Sequence, residues 1–234
     1  MAIILSIDTS TRGCSVALHQ NGQLLANYDL LTDKSSSGTL TTLLKNAVEH
    51  AGFAFSDLDA VAAAQGPGSY TGLRIAVSTA KGLCFALNKP LIAVPTLAAM
   101  TAQVCDFYDE THLFCPMIDA RRMEVYCAVF DKNLDYIQPT AAKVIDENAF
   151  QTGFENKKLV FFGDGAAKCQ SILGNNPNFI FLPNLIHPSA KTVGALAIKA
   201  FENQQFEDLV SFEPFYLKDF MATVPRRQST VNSL

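Results

Sequence analysis

One stretch constrains this chain more than any other. An apolar run, Leu58 to Ala64, passes directly into Gln65-Gly66-Pro67-Gly68-Ser69-Tyr70-Thr71-Gly72, and a long amphipathic pattern follows from about Leu73 to Leu87. Three glycines and a proline demand a shaped turn, because glycine reaches backbone conformations closed to other residues and proline fixes φ. A buried strand delivered through such a turn into a helix is the building unit of an α/β sheet. The preceding residues agree. Residues 3 to 7 are an apolar run ending at Asp8, Cys14 to Leu18 form a second after the polar turn Thr9 to Gly13, and an Asn21-Gly22 turn leads to a third at Leu24 to Leu31. That is a three-stranded meander. Leu40, Leu43, Leu44, Ala47, Val48 and Ala51 then recur at helical spacing opposite Thr41, Lys45, Asn46 and Glu49, and Gly52 closes the helix.

Lys89-Pro90 ends the long helix, Leu91 to Val94 reads as a short buried strand, and Pro95 opens another helix to about Val104. Three strands, helix, strand, helix, strand, helix is one half of a ribonuclease H-like unit. After Asp106 to Thr111 the pattern restarts. Strands are expected at Phe114 to Ile118 and Glu124 to Phe130, about the turn Asp119-Ala120-Arg121-Arg122, and at Leu159 to Phe162, which runs into Gly163-Asp164-Gly165. Helices are expected from Ala166 to Leu173 and from Ser189 to Asn203, and Phe212 to Leu217 reads as an ordered segment. The fold class is therefore α/β, a duplicated ribonuclease H-like fold with mixed sheets flanked by helices, although no residue-level repeat links the halves. The expected division is residues 1–105, residues 106–224 and a flexible tail at residues 225–234.

With 49% hydrophobic and 17% charged residues over 234 positions, the chain reads as a packed globular protein. Its 22 acidic and 18 basic residues leave a formal charge of −4, so no global positive field attracts nucleic acid, and RNA is expected to be held through a partner. The N-terminus lacks the basic start of a signal peptide, and no run reaches the roughly 18 apolar residues of a membrane helix. A cytoplasmic location without membrane contact is the expectation. Six cysteines show no CxxC pair and lie in apolar contexts, which reads as buried free thiols.

Four segments carry a resemblance. Ile7-Asp8-Thr9-Ser10-Thr11 stands where actin, hexokinase and heat-shock ATPases carry their first phosphate loop. Gly66 to Arg74 resembles the signature of the TsaB and TsaD families, and Asp119 to Tyr126 is similar to a further TsaB segment; Glu213-Pro214-Phe215-Tyr216-Leu217 resembles the C-terminal strand of that family. The chain is thus identified as resembling the TsaB (YeaZ) family of the actin-like ATPase (ASKHA) superfamily. The resemblance implies a non-catalytic subunit of the tRNA threonylcarbamoyladenosine (adenosine 37) synthesis complex that binds and activates TsaD and co-operates with the ATPase TsaE. It also implies tRNA contact only through the complex, a homodimer when TsaD is absent, and no cofactor bound by this chain alone, with ATP or ADP placed at a joint interface with partners.

Asp8 at a strand end could orient a hydrated metal, and Thr9, Ser10, Thr11, Gly66, Gly68 and Ser69 complete a nucleotide-loop pattern. The pattern is degenerate, because Ser10 stands where the actin-type loop has glycine. Phosphate contact and a plain hydrogen-bonded turn are equal readings of Asp8 to Thr11. Ser69 reads as a helix cap rather than a nucleophile, since no GxSxG and no partnering histidine accompany it. Asp119, Arg121, Arg122 and Glu124 read as a salt-bridged turn.

Aligned on TsaD, Thr96 and Met100 fall where that family carries two metal-binding histidines. Neither supplies a nitrogen ligand, and His19, His50, His112 and His187 show no ligand spacing and read as surface residues. No catalytic residue and no metal site is expected. The rival reading is a stand-alone actin-fold ATPase or small-molecule kinase with Asp119 as base.

A second face of the long helix, with Ile75, Thr79, Gly82 and Ala86 beside Arg74 and Ser78, is too rich in small residues for an ordinary surface helix. Either a partner or a second layer of this same chain covers that face; the resemblance to TsaB, in which this helix and the preceding one pair with TsaD, makes it, with Ser36, Leu40, Leu43, Leu44 and Ala47, the expected partner interface. The family often has histidine where Ser36 stands.

Overall fold

In the computed structural model of the chain, the described residues are 2–32, 36–154 and 157–218, with the side chains of Ser36 and Ser37 outside that set. The chain opens with β1 (Ile3–Asp8), β2 (Cys14–Gln20) and β3 (Gln23–Leu30), then α1 (Ser36–His50), β4 (Ala60–Gly66), α2 (Tyr70–Leu87), β5 (Leu91–Pro95) and α3 (Thr96–Thr101). It continues with β6 (His112–Asp119), β7 (Glu124–Phe130), β8 (Tyr136–Val144), β9 (Lys158–Phe162), α4 (Ala166–Leu173), β10 (Phe179–Phe181) and α5 (Ala190–Glu202).

The two sheets run in the orders β3-β2-β1-β4-β5 and β10-β9-β6-β7-β8. Read from opposite ends they are the same: β6 stands for β1, β7 for β2, β8 for β3, β9 for β4 and β10 for β5. In each, the meander pairs antiparallel and the last two strands join parallel to the first. The expected duplicated ribonuclease H-like architecture is present.

Burial on both faces explains why β1 reads as an unbroken apolar run. Ile3, Leu5 and Ile7 face α1 and α2, where Leu40, Leu44, Ala47 and Val48 meet Ala76, Val77, Ala80 and Cys84. Ile4, on the other face, packs with Ala60, Ala62 and Ala64 against Val193 and Ala197 of α5. Although α5 follows the second sheet in sequence, it covers the back of the first. α3 fills the seam, with Leu97 and Met100 against Phe114, Ile118, Phe130 and Phe162 of the second sheet.

Several boundaries differ from the sequence reading. β8 and β10 carry no strong alternation and were not expected. α2 starts at Tyr70 rather than Leu73 because Ser69 caps it, its Oγ accepting from Gly72 N at 3.2 Å. α3 stops at Thr101, and a 3-10 turn at Cys105–Phe107 follows. Phe212 to Leu217 joins no ladder; it is an extended strap whose Phe215 N donates to Gln65 O at 2.7 Å. The expected tail at residues 225–234 lies outside the described residues.

Candidate functional site

The turn between β1 and β2 and the glycine turn between β4 and α2 lie backbone against backbone. Ser69 N donates to Ser10 O at 2.6 Å, and Thr9 Oγ1 donates to Gly72 O at 2.6 Å. A Cβ on Gly68 would stand 2.2 Å from Ser10 O, and one on Gly72 would stand 1.9 Å from Thr9 O. Only glycine permits this approach, which is why the turn is written as it is.

A phosphate cradle needs open N–H groups. Here Ser10 N is engaged by Asp8 Oδ1 at 2.8 Å, Ser69 N by Ser10 and Gly72 N by Ser69, while the Thr9 and Ser10 carbonyls face the glycines. The two turns, Asp8 through Ser10 and Gly66 through Gly72, thus use several of their own N–H groups to hold one another. Thr11 is half-buried in the same turn.

Asp8 itself is 2% exposed. Burial pushes its carboxyl up to about 6, against the opposing pull of the Ser10 hydroxyl and amide, and nearby Asp29 adds to the rise. Ser10 Oγ donates to Asp8 Oδ1 at 2.6 Å, whereas Asp8 Oδ2 is buried without a hydrogen-bond partner. Among the described residues no three His, Cys, Asp or Glu side chains converge as metal ligands.

Thr96 and Met100 are fully buried on α3. Thr96 Oγ1 accepts from Gly66 N at 3.1 Å, bracing the glycine turn, and Met100 belongs to the seam between the sheets with its methyl beside Gly163. The histidines are scattered as expected, with one correction: His19 is not at the surface. β2 pairs on both sides, so His19 lies buried beneath Gly194 of α5, where burial and then Lys191 lower its pKa.

The Asp119 turn is salt-bridged. Lys168 Nζ pairs with Asp119 and donates to the Arg122 and Glu124 carbonyls, each at 2.7 Å, while Lys218 pairs with Glu124. Partial burial opposes ionisation of Asp119, but Lys168 and the Arg121 amide hold its carboxyl below the usual range. A carboxylate held ionised by a lysine is a poor general base.

The outer face of α2 is open. Arg74, Ser78, Gly82, Phe85 and Ala86 are exposed, Ile75 and Thr79 half-buried. A Cβ on Gly82 would meet nothing within 4 Å, and Phe85 is 84% exposed. The Arg74 guanidinium sits 4.6 Å over the Tyr70 ring, which packs on Tyr216 of the strap at 4.7 Å. Lys81 Nζ donates to the strap at Phe212 O, 3.0 Å away.

α1 requires a correction. Leu40, Leu44 and Ala47 are buried in this chain's own core, and Leu43 packs half-buried against it, because the apolar stripe of α1 is used on the sheet. Its outward side is Thr41, Thr42, Lys45 and Glu49. The Ser36 side chain lies outside the described residues. Phe85 was missed by the sequence reading: it follows Cys84 in an apolar string, and only its angle on the helix, seven residues past Ser78, puts it outside.

Comparisons with known proteins agree with one another. A family model described as TsaD, tRNA N6-adenosine threonylcarbamoyltransferase, matches residues 30–226. The chain is 31% identical over 188 residues to the tRNA threonylcarbamoyladenosine biosynthesis protein TsaB of Buchnera aphidicola subsp. Acyrthosiphon pisum, covering 78% of this chain and 84% of that one. It is 35% identical to the Escherichia coli TsaB over 130 residues, 56% of this chain and 55% of the relative. The solved structure of YeaZ from Pseudomonas aeruginosa matches with a TM-score of 0.80 at 27% identity, over 93% of this chain and 100% of that one.

Proposed function

We propose, starting from the fact that this chain belongs to the TsaB (YeaZ) family of tRNA threonylcarbamoyladenosine biosynthesis proteins, within the wider TsaD-like family, that it is the non-catalytic subunit that docks on TsaD. The observation that carries the reading is the outer face of α2. A helix whose other side is buried in the core would ordinarily present polar residues to water, yet this one exposes Phe85 beside the open backbone of Gly82 and Ala86. Small residues let a second helix approach closely, and an exposed aromatic supplies the apolar anchor. α1 lies beside α2 on the same face of the sheet, so a pair of helices is offered, with Thr41, Thr42 and Lys45 at the margin.

The non-catalytic role is supported by Thr96 and Met100, which brace the turn and the seam at the positions aligned with paired histidines in TsaD, and by the mutual engagement of the two loops around Asp8. The kinase reading loses its base to Lys168. On this reading nucleotide, ATP or ADP, sits at a joint interface with partners, TsaE engages the assembled pair, tRNA is met only through the complex, and in the absence of TsaD the same face pairs two copies of this chain. A cytoplasmic location belongs to the same proposal; among the described residues no helix is long and apolar enough to cross a membrane.

The test is a calorimetric titration of TsaD with the natural chain, Gly82→Arg and Phe85→Ala, beside a melting curve of each alone. Gly82→Arg is expected to abolish measurable binding by sterics and by burying an unpaired charge, and Phe85→Ala to weaken it by more than about 1 kcal/mol. Both monomers should stay folded, since neither position supports the core. Natural affinity in both variants would remove this face from the interface. Thr41→Ala is the control and should bind normally.

A further inference from the structure

Beyond α5 the chain wraps around the edge of the first sheet. α5 covers the back of that sheet, Glu207 N donates to Leu91 O at 2.9 Å on the edge strand β5, and Leu209 and Phe212 then pack into the core on the α1–α2 side. From there the strap runs past α2 and the glycine turn and ends on the second half. Its last described residue, Lys218, pairs with Glu124 of β7 and lies 6.0 Å from the centre of the Tyr126 ring.

The two ends of the strap are held by different means. On the first half the contacts engage its backbone: Lys81 Nζ donates to Phe212 O at 3.0 Å, and Phe215 N donates to Gln65 O at 2.7 Å. A Cβ on Gly66 would stand 2.8 Å from Phe215 O, so glycine lets the strap lie directly on the turn, and Tyr216 packs on Tyr70. That end is built in. On the second half the tie is a charge pair between side chains, with Lys218 40% and Glu124 23% exposed. A pair so open to water is worth little and weakens as salt screens it.

We propose that the strap is a clasp between the two halves of the fold, fixed on the first and latched on the second by Lys218 and Glu124, so that making or breaking this pair sets how far the halves open about the seam at α3. The covalent path between the halves runs through α3, whose Leu97 and Met100 pack against the second sheet, so an opening motion has a hinge on that side and the strap across the other. A weak latch suits this role. Because an exposed pair shifts a two-state balance by only up to about five-fold, latched and released forms coexist and a small change in conditions moves the population between them. The inference concerns the free chain and does not rest on the docking reading.

The experiment measures the distance between spin labels on Glu49→Cys in α1 and Asn133→Cys in the turn between β7 and β8, by double electron–electron resonance on the full chain without a partner. Both positions are exposed and the six natural cysteines are buried, which directs the label to the introduced pair. Raising salt from about 0.01 M to about 1 M shortens the screening length from about 30 Å to about 3 Å, and should enrich a second, longer distance by up to about five-fold. Lys218→Met should show that longer distance at every salt level. The swap of Lys218→Glu with Glu124→Lys should restore the natural distribution and its salt response. A natural distribution that ignores salt, a Lys218→Met distribution equal to the natural one at low salt, or an opening that the swap leaves in place would overturn the clasp. The salt series keeps both natural charges, so the first outcome does not depend on a variant folding.

Discussion

Asp8 and Asp119 close β1 and β6, the same position in the two halves of the duplicated fold, and they live in opposite environments. Asp8 is buried, its Oδ2 has no hydrogen-bond partner, and its carboxyl is raised to about 6. Asp119 is exposed, paired with Lys168 and held low. The glycine turns repeat the same relation. Gly68 and Gly72 press on the carbonyls of Ser10 and Thr9, just past β1, as Gly163 presses on Met117 O within β6, 2.3 Å from where its Cβ would be. Topology duplicates the position, while the neighbouring side chains decide what a carboxylate there can do.

The largest effect should come from the turn that makes the first half rigid. Gly72→Ala puts a methyl 1.9 Å from Thr9 O, a backbone atom that cannot step aside, and is expected to cost about 3 kcal/mol or more in urea unfolding. Gly82→Ala on the same helix meets open space and should gain about 1 kcal/mol from helix propensity. Equal effects at the two glycines would break the claim that the loops clamp each other.

Next comes Asp8. Its folded pKa is above its ordinary value of 3.8, so the folded state binds the proton more tightly than the unfolded state does. The penalty for its charge is absent below that ordinary value, grows as pH rises through about 6, and is complete at neutral pH. A shift of this size corresponds to about 3 kcal/mol as an upper figure. Asp8→Asn should therefore be more stable than the natural chain at pH 7, with the difference shrinking towards pH 4 in parallel denaturant titrations. A difference independent of pH would mean that Asp8 is solvated. Asp119 has the opposite sign: its contribution is present above the ordinary value and fades as pH falls below it. Because that pair is half exposed, Lys168→Met should cost less than about 1 kcal/mol at pH 7.

Much of this was legible in the residues. The alternation of strands and helices, the shaped turn at Gly66 to Gly72, the capping role of Ser69 and the charged turn at Asp119 all follow from local spacing and turn chemistry, which act within a few residues along the chain. What escaped was set by contacts between distant segments. Leu40, Leu44 and Ala47 read as one side of a docking pair, but the sheet takes them. β8 escaped because an edge strand with an irregular register has little alternation to show.

Hydrophobic period and glycine placement are local properties, so the succession of two strand-first units and the position of each turn are already written in the order of the residues. Long-range packing is what carries α5 across to the first sheet, leaves β7 and β8 without a counterpart of α1 among the described residues, turns Phe85 to water while its neighbour Cys84 is buried, and sets Asp8 apart from Asp119. Those outcomes depend on which surfaces meet across the fold, and burial is a property of the assembled packing rather than of any residue's place in the chain.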